Sequence, residues 1–183
     1  MEDQIYTQEY KPNKLAFKAA IAYTVYFLVL MYVFKFLGID QNSQTITVTE
    51  RIISSVLSYI PFILSVVYVQ TNYKKELGGY ISFGKAFSGG FKVAAYTGLF
   101  VALILLIYYL VLDTGAKEEI FNAAIQAAGD DENKIKGVEM MRSSMVYFIG
   151  FAAGVTYTFF GLIVSLIGAA IIKKERPMYE EAK

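Results

Sequence analysis

Four long apolar runs dominate this chain and limit what it can fold into. Residues 15–37 carry only Lys18 and Lys35, near the two ends of the run, and residues 52–73 carry no charge at all. Residues 93–112 and 143–172 are likewise uncharged. Each run reaches or exceeds the roughly 20 residues that cross a hydrocarbon core of about 30 Å at 1.5 Å per residue. A soluble protein would have to wrap all four in amphipathic helices, and a chain of 183 residues has too few left over. The expected fold is therefore all-α: one integral membrane domain of four transmembrane helices, at about 15–37, 52–72, 91–112 and 143–172. The first run is too long for the apolar part of a signal peptide and has no small-x-small site after Phe36, so it is read as a retained helix.

Composition narrows the chemistry. Cysteine, histidine and tryptophan are absent. Disulfides, thiolate nucleophiles, the commonest general base and the commonest zinc ligand are thereby removed together. No catalytic residue, cofactor or metal is expected, nor is a nucleic-acid partner.

Charge sets an expected orientation. Of the 17 Lys and Arg, eleven lie in the N-terminal arm, the connection between the second and third runs, and the tail. The positive-inside rule then places both termini in the cytoplasm. The long connection at 113–142 falls on the outer side. Its first half reads as a helix with Asp113 or Thr114 as N-cap and Gly129 as stop, presenting Ile120, Phe121, Ala124, Ile125 and Ala128 on one face. That face is expected to rest on the membrane or cap the bundle. A second helical turn should begin at Asp130 or Asp131. The earlier outer loop, with Thr alternating against Ile46 and Val48, reads as a short extended segment.

Within the spans no charge lies near a centre, which argues against ion-coupled transport and intramembrane acid/base chemistry. The lysines near span ends, Lys18, Lys35 and Lys92, are read as snorkelling to the headgroups. Uncharged polar residues do occur. Ser58 and Ser65 flank Pro61 in the second span, a possible kink or polar cleft. In the fourth, Gly154, Gly161 and Gly168 recur every seven residues, with Gly150 and Ser165 each four away, giving a smooth stripe for packing within the chain or for docking a partner. Tyr68, Tyr73, Tyr108, Tyr109 and Tyr147 are placed in two interfacial belts.

The segment GYISFGKA, residues 79–86, imitates a phosphate-binding loop but ends in Ala86 where a hydroxyl should hold magnesium, and it follows an apolar helix instead of a strand. No nucleotide is expected. The better reading is an interfacial hinge: Gly78 and Gly79 make a turn, and Ser82 caps an amphipathic, cytoplasmic lead-in to the third span. Phe83, Phe87 and Phe91 lie four apart on one face of that helix, while Lys85 and Lys92 meet anionic headgroups.

With LGGYISFGKAF leading into the third span, an outer segment from Asp113 and a long fourth span, the chain resembles the DUF4199 family of bacterial membrane proteins from Bacteroidota. The resemblance runs from the first span to Lys174 and implies a small inner-membrane protein; the family has no assigned activity and carries over no catalytic residues. Two functions stay open. One is a non-catalytic subunit or scaffold of an envelope complex, docking a membrane protein or a second copy through the glycine stripe or outer loop. The other is a lipid- or small-solute-binding channel or permease built around Pro61.

Overall fold

The computed structural model describes residues 11–39 and 46–175, and those residues are helical apart from turns and one isolated β-bridge. The elements are α1 (Asn13–Phe36), α2 (Val48–Glu76), α3 (Phe83–Ile107), α4 (Thr114–Ala128), α5 (Glu132–Met141) and α6 (Met145–Ile172). A π-helical turn, Tyr108–Leu112, extends α3. Four helices, α1, α2, α3 with its π turn, and α6, are long and apolar enough to cross a membrane. The chain is a four-helix integral membrane bundle, with both described ends on one side, here called the terminal side, and α4 and α5 on the other.

Local chemistry sets the helix ends. Thr47 accepts a hydrogen bond from the amide of Glu50, whose carboxylate accepts from the amide of Thr47 at 2.9 Å, a reciprocal capping box that starts α2. That box overrides the β-propensity of the alternating threonines: Val48 is already in the first helical turn, and the extended reading is corrected there. Residues 40–45 of that loop lie outside the described residues. At the other end of α2, Gly78 and Gly79 adopt φ of 75° and 85°, and their amides reach back to Lys75 and Lys74. A side chain disfavours that left-handed backbone, so glycine ends the helix cleanly.

The core is arranged around α3 and α6, which pack along their whole length because small residues line both. A Cβ on Gly154 would stand 2.9 Å from the carbonyl oxygen of Gly98, and one on Gly150 would stand 3.2 Å from that of Ala102. The two backbones thus touch almost directly, exchanging helix propensity for contact area. Helices α1 and α2 complete the bundle. Outward-facing Val25, Leu64, Leu99 and Phe159 are exposed, as expected of surfaces that meet acyl chains in place of water.

Three tyrosines depart from the belt reading. Tyr73, Tyr108 and Tyr109 are buried in the bundle, whereas Tyr68 and Tyr147 face outward. The π turn gives the reason for two of them: its wider coil turns Tyr108 and Tyr109 inward, and the Tyr108 hydroxyl donates to Asp113 at 3.0 Å.

Candidate functional site

Sequence reasoning singled out the glycine stripe of α6, and the structure fills it from within. Gly161 lies against Ala94 and Phe62, and a Cβ there would stand 2.8 Å from the Phe62 ring. Gly168 lies against the side-chain amide of Gln70. Ser165 is fully buried, donating its hydroxyl to Gly161 at 2.6 Å and accepting the Gln70 amide on its carbonyl at 2.9 Å. Gly150, Gly154, Gly161, Ser165 and Gly168 therefore pack against α3 and α2 of the same chain. Of the two uses expected of the stripe, packing within the chain is the one these contacts make.

Gln70 went unnoticed in the sequence, although a side-chain amide inside a membrane span was a signal. Its nitrogen donates to the carbonyls of Ala86 and Ser165 at 3.1 and 2.9 Å, joining α2 to α3 and α6. Its oxygen is buried without a partner. A lone acceptor in that setting is costly, so the two donated bonds and the close helix contacts must outweigh it.

Pro61 lies inside an unbroken α2. A proline has no N–H for the carbonyl four residues earlier, that of Leu57. Tyr26 supplies the missing proton, donating to the Leu57 carbonyl at 2.8 Å. Tyr23, three residues earlier on α1, donates to the Ser58 carbonyl at 2.8 Å and stands 2.9 Å from the Tyr157 hydroxyl. The single proton of Tyr23 is committed to Ser58, so Tyr157 donates to Tyr23. Around this hydroxyl chain Phe27, Phe62 and Tyr157 pack edge-on or tilted, making an aromatic plug at mid-bundle. Ser65 does not join it: its hydroxyl returns to the Phe62 carbonyl at 2.7 Å.

Beyond the plug the bundle is not filled. A cavity of about 460 Å³ extends from Phe27 to the end of α1 on the side away from the termini. Phe27, Leu30, Met31 and Phe34 wall it from α1, Leu105 from α3 and Ile149 from α6. Ser58 is its polar wall residue on α2. One turn further out on the same face, the Ser54 hydroxyl is buried without a partner. Lys35, Gly38 and Glu119 stand at the mouth. From Phe27 to Lys35 the α1 wall spans about 12 Å at 1.5 Å per residue, so the cavity runs from near the middle of α1 to its outer end.

The mouth is organised by Asp113. Its carboxylate caps α4 by accepting from the Ala116 amide at 3.1 Å, accepts from Tyr108, and pairs with Lys35. Lys35, in the last turn of α1, is thus held by the outer segment. The Lys35 ammonium holds the Asp113 carboxyl below the ordinary carboxylate range, against the opposing effect of partial burial. Helix α4 rests on the bundle through buried Ala116 and partly buried Ile120, and Arg142 lies 4.4 Å over the Phe121 ring while pairing with Glu118 at 2.6 Å. Glu119, unlike Asp113, makes no ion pair among the described residues.

On the terminal side, Ser82 occupies the N-cap position of α3, but its side chain makes no capping bond. Phe83, Phe87 and Phe91 stack in sequence, with ring centroids 6.4 and 5.7 Å apart. Lys85 and Lys92 lie on the neighbouring face, beside a cleft. Among the described residues no three acidic side chains come together to hold a metal ion.

The family model described as "Protein of unknown function (DUF4199)" matches residues 18–174. The chain belongs to the DUF4199 family. The match takes in α1 from Lys18 onward, the other three membrane helices, the outer helices and the terminal-side hinge, so this DUF4199 protein carries the family region as one continuous unit. Neither a curated protein nor a solved structure matches it.

Proposed function

We propose that this DUF4199 protein binds a single amphiphile, a lipid-like molecule with an acyl chain and a polar head, in the cavity between α1, α2, α3 and α6. The observation that carries this reading is the cavity's polarity along its length: aromatic and aliphatic side chains toward mid-bilayer, Ser58 on one wall, and Lys35 with Glu119 at the mouth. Its volume of about 460 Å³ falls in the range of small-molecule sites, roughly 300–1,000 Å³. An acyl chain would replace lost packing contacts in the deep part, and a head with hydrogen-bonding groups would meet the charged rim.

The reading is of a non-catalytic protein in a bacterial inner membrane, with the lysine-rich terminal side in the cytoplasm. The cavity would then open toward the outer leaflet. A role as subunit or scaffold of an envelope complex stands second, since the stripe that motivated it is occupied by α2 and α3.

The test uses the absence of tryptophan in the chain. Met31→Trp and Ile149→Trp, alone and together, add bulk to opposite walls. Mass spectrometry of the intact protein in mild detergent should show one bound amphiphile on the wild type and its loss on the double variant, with helicity and monodispersity retained. An unchanged bound fraction on the well-folded double variant sinks the proposal.

A further inference from the structure

The cavity between α1, α2, α3 and α6 is apolar over most of its depth, with polar side chains at its two ends. Phe27 and Ser58 mark the inner end. Tyr23, one turn before Phe27, donates to the Ser58 carbonyl, which sets these parts of α1 and α2 at one level. Ser58 is 8% exposed, and its hydroxyl, unlike its carbonyl, makes no hydrogen bond among the described residues. A hydroxyl buried this far without a partner costs free energy that a polar atom of a ligand would recover.

The outer end carries charge of unequal sign. Lys35 pairs with Asp113 and also lies in the field of Glu119, so one cation at the rim faces two carboxylates. Glu119 is exposed and makes no ion pair among the described residues. Lys117, two residues before it on α4, does not share its face of the helix, and Arg142 is held by Glu118. Arg51, near the start of α2, does not line the cavity. Residues 40–45, which continue the chain from Ile39 at the mouth, contain Asp40 and no lysine or arginine. The imbalance extends over that whole side of the bundle: residues 35–51 and 113–142 together carry nine carboxylates against six cations. A field of that sign concentrates cations at the mouth and repels anions.

We propose that the cavity selects an amphiphile with an ammonium head, seated against Glu119, and a hydrogen-bonding group at the far end of its chain, seated against Ser58. This rests on the reading of the cavity as an amphiphile site, and adds to it the sign of the head and the polarity of the tail. With Lys35 already paired, an anionic head would meet Glu119 unopposed, whereas an ammonium completes a rim of two cations and two carboxylates. The α1 wall from Phe27 to Lys35 is about 12 Å long, which an extended chain of about ten bonds covers at roughly 1.2 Å per bond. The Ser58 hydroxyl can donate to an oxygen at the tail or accept from it.

The experiment is native mass spectrometry of the full chain in a neutral, mild detergent at pH 7. The probes are decylamine, decyl sulfate, decanol and aminodecanol, the last with amine and hydroxyl at opposite ends, at equal concentrations. The wild type should retain decylamine at least fivefold over decyl sulfate, and aminodecanol at least threefold over decylamine. In Glu119→Gln the preference for decylamine over decyl sulfate should fall to near parity, with decanol retained as before; the control Glu132→Gln on α5 should keep the preference. Ser58→Ala leaves the carbonyl that Tyr23 needs, and should remove only the advantage of aminodecanol. Decanol retained with no preference between amine and sulfate, or a preference that survives Glu119→Gln, overturns the ammonium assignment and leaves the cavity reading standing. An aminodecanol advantage that is missing from the wild type or survives Ser58→Ala overturns the tail assignment. Retention of none of the four probes sinks the cavity reading and this inference with it.

Discussion

The hydroxyl of Tyr26 donates to the carbonyl of Leu57 at 2.8 Å, and Leu57 lies four residues before Pro61. A tyrosine on one helix thus satisfies the backbone group that a proline on the next leaves without a donor. In lipid no water can do so easily, and an orphaned carbonyl there costs several kcal/mol by the general estimate.

Tyr26→Phe should therefore lower stability by about 1–3 kcal/mol, the cost of leaving the Leu57 carbonyl without a donor. In a Pro61→Ala background, where the Leu57 carbonyl regains a backbone donor, the same substitution should cost much less. A double-mutant cycle read by thermal unfolding in detergent checks the coupling; purely additive effects would count against the capping role.

Gly168 and Gln70 should be equally coupled. A methyl on Gly168 collides with the Gln70 side-chain amide, which itself ties α2 to α3 and α6. Gly168→Ala should destabilise by about 1–3 kcal/mol as an overpacked contact. Combined with Gln70→Ala, which removes the colliding group, it should add little to the cost of Gln70→Ala alone. Melting temperatures of the four proteins decide this.

The Asp113 contacts predict a pH dependence. Pairing with Lys35 lowers the Asp113 pKa in the folded protein, so the unfolded chain binds its proton first as pH falls. The stabilisation is complete above the unfolded carboxylate value of about 4 and disappears as pH drops through the lower folded value. The gap in melting temperature between wild type and Asp113→Asn should be constant from pH 6 to 8 and shrink below about pH 4. A gap that widened with acid would contradict the pairing.

At the terminal-side hinge, Phe87 packs beside Ile81, Ala86 and Ala169 and stacks between Phe83 and Phe91. Phe87→Asp puts a carboxylate at the bilayer surface within that apolar cluster, whereas Lys85→Ala changes a side chain at the rim of a cleft, outside the cluster. Phe87→Asp should reduce the membrane-inserted yield several-fold more than Lys85→Ala. Quantified membrane fractions test it, and neither protein should shift its melting temperature with ATP.

Some of these features could be read along the chain and others could not. The glycine stripe of α6 was legible as a stripe, since spacings of four and seven repeat on one helical face. What fills it was not, because Gly98 and Gln70 carry no local sign of where they will lie in space. The capping box at Thr47 and Glu50 was present in the sequence but was outvoted by the alternation around it. The cavity mouth depends on Lys35 and Asp113, 78 residues apart, and the plug on Tyr23 and Tyr157, 134 apart.

The sequence by itself determined the four spans, the helix ends at Gly78, Gly79 and Gly129, and the outer helices, because each follows from the length, period or backbone preference of contiguous residues. Tertiary structure alone decided which polar groups satisfy one another across helices and where the bundle fails to fill. In lipid, apolar surface does not select between helix faces. The choice passes to close backbone contact and hydrogen-bond pairing, and both require the helices to be side by side.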